Sequence, residues 1–458
     1  MVLQVLLIFP NQLYDDTLKD IKKYDHVFFV EDPVFFNERV KINKIKIAYL
    51  RAAGRCYFDK LPIVAGKKTY VEMKDVGSGE FLTGTGTGTV TMYDPTDVHL
   101  MKKWGKKCSV VLPSPNFIMP MDKLKVYAAG RVSARHSGFY NMVKQHLHIL
   151  EDVPNQDKFN REGVVVGTIP AVGRYPMNKY YAEGIAFSQS QTFKGHVGEP
   201  ENVVLYPITS KDAWLGVDLF VKERLGHFGR YQDAILKNEG VLYHANISAA
   251  LNIGLLDPLG VVERAGRKRV GVASYEGFVR QVIGWREYMR YLYVFHYKEL
   301  VGGNVAGNRA KVGREWWTGT TGLAPIDNEI GKALKTGYAH HIVRLMMFMN
   351  VLILSNVAPA EIYKWFMEVV SIDAYDWVMV GNIYGMGYFT NRFMSRPYLS
   401  TSAYIVKMSD YKRDGVWDVK WDGLFRSFIG KKPVAYVGAY RARLAVQHHS
   451  ARQTESAQ

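Results

Sequence analysis

A change of hydrophobic rhythm part-way along the chain limits the fold more than any other feature. Up to about residue 125, short apolar runs alternate with turns and one helical segment. Val2–Phe9, His26–Val30, Thr69–Met73 and Ser109–Leu112 read as strands. Val40–Tyr57 has helical spacing, with Ile42, Ile45, Ile47, Leu50 and Ala53 on one side. Lys41, Lys44, Lys46 and Arg51 are expected outside. From Lys211 onward only the helical rhythm persists. Tyr275–Leu300 carries Phe278, Val282, Trp285, Met289 and Leu292 on one stripe, and Asp327–Leu354 and Pro359–Val370 continue the pattern. The expectation is an α/β part with a mostly parallel sheet followed by an all-α part. The 458 residues suffice for two cores. The division expected is 1–130, a connection over 131–205 that turns Gly/Pro/Tyr-rich near 155, and 206–458.

Several classes are excluded. No run of about 18 apolar residues is present, so no membrane span is expected. The first nine residues lack a basic n-region and a small-residue cleavage site, so a cytoplasmic chain without a secretion signal is expected. Two cysteines, Cys56 and Cys108, exclude a disulfide scaffold and a four-thiolate metal site. Gly84-Thr-Gly-Thr-Gly-Thr89 lacks the third glycine of a dinucleotide fingerprint and reads as a loop. Lys and Arg outnumber Asp and Glu by 59 to 43, a net charge of +16. That excess suits a polyanionic partner, although a basic soluble protein with no such partner has it too.

Four segments could carry chemistry. The first runs through Phe228–Ala234 and Leu242–Ser248 to Leu251-Asn-Ile-Gly254. A small and polar run opening a helix can present free N–H groups to a phosphate; an ordinary cap at Asn246 or Ser248 is the plain alternative. The second is Ile283–Met289, where Arg286 and Glu287 form either part of a cavity or a structural ion pair. The third is Trp316-Trp-Thr-Gly-Thr-Thr-Gly322, Asp327 and Tyr338–Arg344, with tandem His340 and His341. Histidines facing a pocket can donate protons near neutral pH; satisfied core histidines are the alternative. No acidic or thiolate ligand stands beside them at metal-binding spacing. The fourth joins Trp365-Phe366, Asp373-Ala-Tyr-Asp-Trp377 and Gly381–Met386. Its aromatics are either core or the lining of a flat cofactor.

Taken in this order, the segments resemble the photolyase/cryptochrome superfamily, most closely its prokaryotic photolyase-related, iron–sulfur branch. The similarity starts at the first strand, Asn11-Gln-Leu and Lys44–Arg51, and is strongest from Tyr206 to Tyr411. Tyr231-Gln-Asp-Ala, Leu251–Leu256, Trp285-Arg-Glu-Tyr, Ala339–Met346, Asp373–Trp377 and Ser409-Asp-Tyr411 carry it together. The resemblance implies a Rossmann-like antenna domain, a linker and a helical FAD-binding domain. It implies light-driven reversal of pyrimidine dimers in UV-damaged DNA by reduced FAD, acting as a monomer. The (6-4) photoproduct is favoured over the cyclobutane dimer, and the alternative is a cryptochrome-like blue-light receptor.

Residue by residue, the resemblance assigns Tyr231, His244, Asn246, Ile247 and Ser248 to the FAD phosphates. Arg286 and Glu287 fall in the block lining the cofactor cavity, and Arg344, Asp373 and Asn382 surround the flavin ring. His341, with His340 second, is the expected catalytic proton donor, titrating near pH 7. Trp365, Trp317 and Tyr375 are the expected electron carriers, with Phe366 where relatives often have tyrosine. Arg264, Arg267, Lys268 and Arg269 form a candidate DNA-phosphate patch, or else a solvated loop.

Two departures stand out. Pro325 occupies the first cluster-ligand position, and Lys412-Arg-Asp-Gly415 replaces a cysteine-rich stretch, so no iron–sulfur cluster is expected. Trp417, Trp421, Leu424, Phe425 and Phe428 have the spacing to fill that space with apolar contacts. Asn11 and Phe35 stand where lumazine-binding relatives often carry acids, which leaves lumazine, folate or no antenna open.

Overall fold

The computed structural model describes residues 2–85, 88–130, 135–159, 162–163, 165 and 167–442. Its first part is a five-stranded parallel sheet: β1 (Gln4–Ile8), β2 (His26–Val30), β3 (Lys68–Val71), β4 (Thr89–Tyr93) and β5 (Val110–Leu112), in the order β3-β2-β1-β4-β5. In the central strand, Leu7 stands opposite Phe28 on one side and Met92 on the other. Val5, Leu6, Leu7 and Ile8 are all buried, which is why this strand reads as a continuous apolar run. The Gly84–Thr89 segment begins in a 3-10 turn, Glu80–Thr85, and ends at the start of β4; residues 86 and 87 lie outside the described residues.

The helix Lys44–Lys60 is capped by Asn43, whose side chain accepts from the Ile45 N–H at 2.9 Å. It corrects the sequence reading, because Lys46 and Arg51 are buried rather than outside. The helix lies between the sheet and a second helix, Lys179–Ser188, contributed by the connection. These two helices approach so closely that a Cβ at Gly184 would sit 2.3 Å from the Ala48 carbonyl oxygen. Only glycine permits that approach. With neighbours on both sides, the helix has little solvated face, and its polar residues bury. Arg51 meets the carboxylates of Glu31 at 2.6 Å and Glu183 at 3.0 Å, and that of Glu72 as well.

The expected single helix over Tyr275–Leu300 is three pieces: Val272–Val279, a π-helical turn Arg280–Trp285, and Arg286–Val301. The stretch Asp327–Leu354 also divides. Ala324–Thr336 ends at Gly337, whose φ of +68° caps the helix. The chain then forms a π-helical segment Val343–Met349 and the helix Asn350–Leu354. Pro359–Val369 and Trp417–Lys431 are regular helices, and in the latter Trp417, Trp421, Phe425 and Phe428 are buried. Lys420 Nζ donates to the Thr321 carbonyl at 2.7 Å, tying this last helix to the loop ahead of Pro325. The polar stretch Ala439–Gln458 lies, from residue 443 on, outside the described residues. Among the described residues no helix is long and apolar enough to cross a membrane.

Candidate active site

The helical part, with Arg135, His136, Asn155 and Asp157 of the connection, lines a cavity of about 940 Å³ that is open to the surface. Three π-helical segments build its walls. Arg280–Trp285 contributes Arg280, Val282 and Trp285; Val343–Met349 contributes Arg344, Met346 and Met349; Gly381–Met386 contributes Asn382, Ile383 and Met386. A π turn inserts one residue into a helix and re-aims its side chains, and such turns concentrate at functional sites. Sequence periodicity does not reveal them.

Asp373 is the polar hub. Its carboxylate accepts from Ser248 Oγ at 2.6 Å and Arg344 Nη2 at 3.1 Å, and Arg344 Nη1 lies 2.9 Å from its other oxygen. Its carbonyl accepts from Asn252 Nδ2 at 2.8 Å. The hub therefore ties the 248–252 helix to the 343–349 segment. Asn246 enters that helix with φ +55°, a left-handed conformation that asparagine tolerates better than most residues. Asn382 lines the cavity and donates back to the Val378 carbonyl at 2.8 Å.

Arg286 also lines the cavity, buried against the rings of Phe117 and Trp377 at 4.7 and 4.8 Å. Its Nη2 reaches the Leu251 carbonyl at 3.4 Å, while Nε and Nη1 have no partner among the described residues. Burial lowers its pKa to about 10, so it is still a cation at neutral pH. A buried guanidinium with unpaired N–H groups at a cavity wall is a donor site for an anion.

Of the paired histidines, only His341 lines the cavity. His340 lies behind the wall, buried, with its ring stacked on that of His244 at 4.6 Å; His244 does face the cavity. The expectation that His341 titrates near pH 7 is corrected. Its ring is open to the cavity but surrounded by protein, and desolvation together with Arg344 lowers its pKa to about 4. Desolvation and the neighbouring His341 lower His244 to about 3. Both are neutral imidazoles at pH 7.

The remaining sequence candidates fall in different places. Ile247 and Ser248 line the cavity with His244 and Asn246. Tyr231 does not; it packs in a small separate cluster with Ala234, Leu242 and Tyr243. Glu287 is also outside the lining and accepts from the Ile118 and Met119 N–H groups at 2.8 and 3.3 Å. It fixes the loop that brings Phe117 onto Arg286. Trp365 lies one residue from the cavity-lining Phe366, with the rings 5.1 Å apart. Its Nε1–H donates to the Trp316 carbonyl at 2.8 Å, and the two indoles lie 5.3 Å apart. Trp317 instead donates to Glu368 at 2.8 Å. Tyr375 lies beside Lys46 and Phe35, away from that indole pair. In the basic patch, Arg264 is held by Asp218 at 2.6 and 2.8 Å, whereas Arg267, Lys268 and Arg269 are exposed.

Sequence reasoning missed Arg280 and His136, and within Trp316-Trp317 it singled out Trp317, whereas Trp316 is the one that meets Trp365. Arg280 lines the cavity and holds Asn155 and Asp157 of the connection at 2.9 and 3.1 Å. His136 stacks on Trp285 at 3.7 Å, nearly parallel. The Trp285 block was a visible signal, but its partner comes from a segment about 150 residues earlier, beyond any local pattern.

Comparison with known proteins places this architecture. The profile of the deoxyribodipyrimidine photo-lyase-related protein family matches residues 6–203. A (6-4) photolyase of Agrobacterium fabrum is 28% identical over 438 residues, covering 89% of this chain and 86% of the relative. The chain has the photolyase/cryptochrome fold. Its fold is shared with a bacterial class III photolyase from Agrobacterium tumefaciens, at TM-score 0.54 and 14% identity over 86% of each chain. A Synechocystis cryptochrome superposes at TM-score 0.59 and 13% identity, over 94% of this chain and 89% of the other. The superfamily fold joins a parallel α/β part to a helical part, as observed here.

Proposed function

We propose that this chain is a DNA photolyase that binds FAD in the cavity and reverses UV-induced pyrimidine dimers, with the (6-4) photoproduct as the favoured lesion. The observation that carries the reading is the Asp373–Arg344–Ser248 hub facing a large cavity beside the unpaired cation Arg286. At about 940 Å³ the cavity lies near the top of the size range of cofactor sites. The unpartnered nitrogens of Arg286 suit an anionic diphosphate, and Asp373, Arg344 and Asn382 offer donors and acceptors to a polar ring edge. When bound, reduced FAD supplies a photoexcited electron to the lesion.

The chain's own residues would bind and orient the reactants. His341 presents a neutral imidazole, so it enters as a hydrogen-bond donor. Negative charge developing on a bound lesion would raise its proton affinity, so that the imidazole takes up a proton from solvent and the imidazolium formed can pass that proton to the lesion. The 28% identical relative named as a (6-4) photolyase supports this choice of lesion. Trp365 and Trp316 would extend an electron path away from the cavity behind Phe366. Arg135, Arg396 and Lys407, all exposed residues of the cavity lining, would meet phosphates of the damaged strand.

The reading includes no iron–sulfur cluster. In support, both cysteines fall within the first 108 residues, and Pro325 starts a helix as a first-turn proline. Iron and sulfide analysis of anaerobically purified protein tests this part; stoichiometric iron overturns it. The main test is illumination of the reduced protein with defined duplexes carrying each lesion. Repair of the (6-4) product with little cyclobutane repair is expected. Bound flavin without repair of either lesion would favour the receptor alternative, and no flavin uptake would end both readings.

A further inference from the structure

Lys46 is a cation where an apolar side chain would pack with less penalty. It sits on the helix Lys44–Lys60, is 3% exposed, and reaches towards the loop that carries Asp373. Its ammonium donates to the Ala374 carbonyl and lies 3.9 Å from the centre of the Tyr375 ring. Burying an ammonium costs several kcal/mol unless its interactions return it (roughly, for real proteins). Both interactions fall on the two residues immediately after Asp373.

The surrounding bonds show what this accomplishes. Asn43 holds the Val369 carbonyl at 3.3 Å, and its N–H meets Ser371 Oγ at 3.3 Å. The Lys41 N–H meets Glu368 at 3.3 Å. Residues 41–46 thus follow residues 368–375 as a clamp, and Lys46 holds the end nearest the cavity. Asp373 is fixed from inside by Ser248, Arg344 and Asn252, and its chain is fixed from outside by Lys46.

We propose that Lys46 is a positioning residue for the cavity, setting where the Asp373 carboxylate meets Arg344 and Ser248 and hence how tightly flavin is held. This rests on the reading of the cavity as the FAD site. Desolvation lowers the Lys46 pKa to about 7, opposed by the Asp373 carboxylate. Arg344 stands on the far side of Asp373. The phenols of Tyr375, Tyr49 and Tyr206 are pushed up by burial and remain neutral. Lys46 is therefore the group in this clamp whose charge changes near neutrality, and flavin affinity should fall as pH rises through about 7.

The test compares the full-length wild type with K46M and K46R. FAD is titrated into flavin-depleted protein between pH 6 and 8.5, and backbone amide exchange over residues 371–376 is followed in the same protein without FAD. A hydrogen bond from a charged donor predicts affinity about 10- to 100-fold weaker in K46M, with no pH dependence. K46R keeps the charge and the donor, so it should bind within about threefold of the wild type at pH 6 and hold that affinity to pH 8.5. Amide exchange should speed up in K46M and not in K46R. Wild-type affinity, wild-type pH dependence and unchanged exchange in K46M would overturn the proposal. If the wild type takes up no FAD, the flavin reading fails, and the exchange comparison alone decides whether Lys46 holds the loop.

Discussion

The α/β part and the helical part treat buried charge in opposite ways. In the first, Arg51 is surrounded by Glu31, Glu72 and Glu183, and Glu31 also accepts from the Tyr70 hydroxyl at 2.5 Å. Buried Asp32 accepts from Trp104 Nε1 at 2.8 Å and pairs with Lys103 at 2.9 Å. These networks close on themselves. In the second, among the described residues, Arg286 keeps two nitrogens unpaired and the cavity-lining His244 keeps one. Folded chains satisfy most buried polar groups. A closed network is therefore finished by folding, whereas a cluster of open groups around a cavity is finished by a ligand. The difference separates structural charge from functional charge without reference to any relative.

The sharpest way to break this comparison is Arg51→Met. It removes the cation from a closed network and leaves Glu31 buried without its main counter-charge. Breaking one side of a buried pair costs about 3–5 kcal/mol. Urea unfolding of the variant should show a loss of that order. The flavin content of the remaining folded protein should match the wild type, because Arg51 does not line the cavity. A loss below about 1 kcal/mol, the usual level for a surface pair, would show that the network is incidental.

Arg286→Met sharpens the comparison from the other side. Here the cation has no carboxylate partner within hydrogen-bonding range among the described residues, so its removal should leave the flavin-free chain as stable as before, or more so. FAD affinity should fall by about 10- to 100-fold, the worth of a hydrogen bond to a charged group. Paired thermal melts and flavin titrations check both halves. Equal loss of stability and affinity would place Arg286 with the closed networks.

Particular residues show where sequence reasoning reached this distinction and where it stopped. Four of the five strands were legible, β1 because both its faces are covered, which demands an unbroken apolar run; β4, directly after the Gly-Thr segment, was not. The Asp373 block was legible as part of an ordered series, and Ser248, Arg344 and Asn382 do line one cavity with it. The inward turn of Lys46 and Arg51 was not. Their partners, Ala374, Glu72 and Glu183, come from distant segments, and a helix covered on two sides loses the amphipathic pattern that would reveal it. Arg286 and Glu287 show a finer limit. Neighbours on a helix point about 100° apart, so one lines the cavity and the other supports the loop at 118–119. The spacing of Phe278, Val282, Trp285, Met289 and Leu292 also suits a straight helix, and the π turn inside it leaves no trace in composition. The Gly/Pro/Tyr-rich stretch concealed Lys179–Ser188, a helix whose one glycine contact with Ala48 exists only in three dimensions.

The smallest expected effect concerns the open histidines. Burial first, then the Arg280 cation, lowers His136 to about 3, and burial with His341 lowers His244 to about 3. An unfolded histidine titrates near 6.5, so below that pH the unfolded chain binds protons that the folded cavity refuses. The sign follows directly. This contribution is fully present above about pH 6.5 and is lost progressively as pH falls towards the folded values. Between pH 7.5 and pH 6.0 each of these two groups should remove about 0.8 kcal/mol of stability. His244→Gln and His136→Gln keep a polar side chain but cannot take up the proton, so each should flatten the acid limb of the flavin-free protein by that amount. Urea midpoints at the two pH values measure it. The closed network of Arg51 contains no histidine, and R51M should lower the whole curve; the Glu31 carboxyl, raised by burial and no longer opposed by Arg51, adds a slope of the opposite sign, with stability falling as pH rises. If the histidine variants leave the acid limb unchanged, the cavity is wetter than its burial implies, and the contrast between the two regions narrows to Arg286 alone.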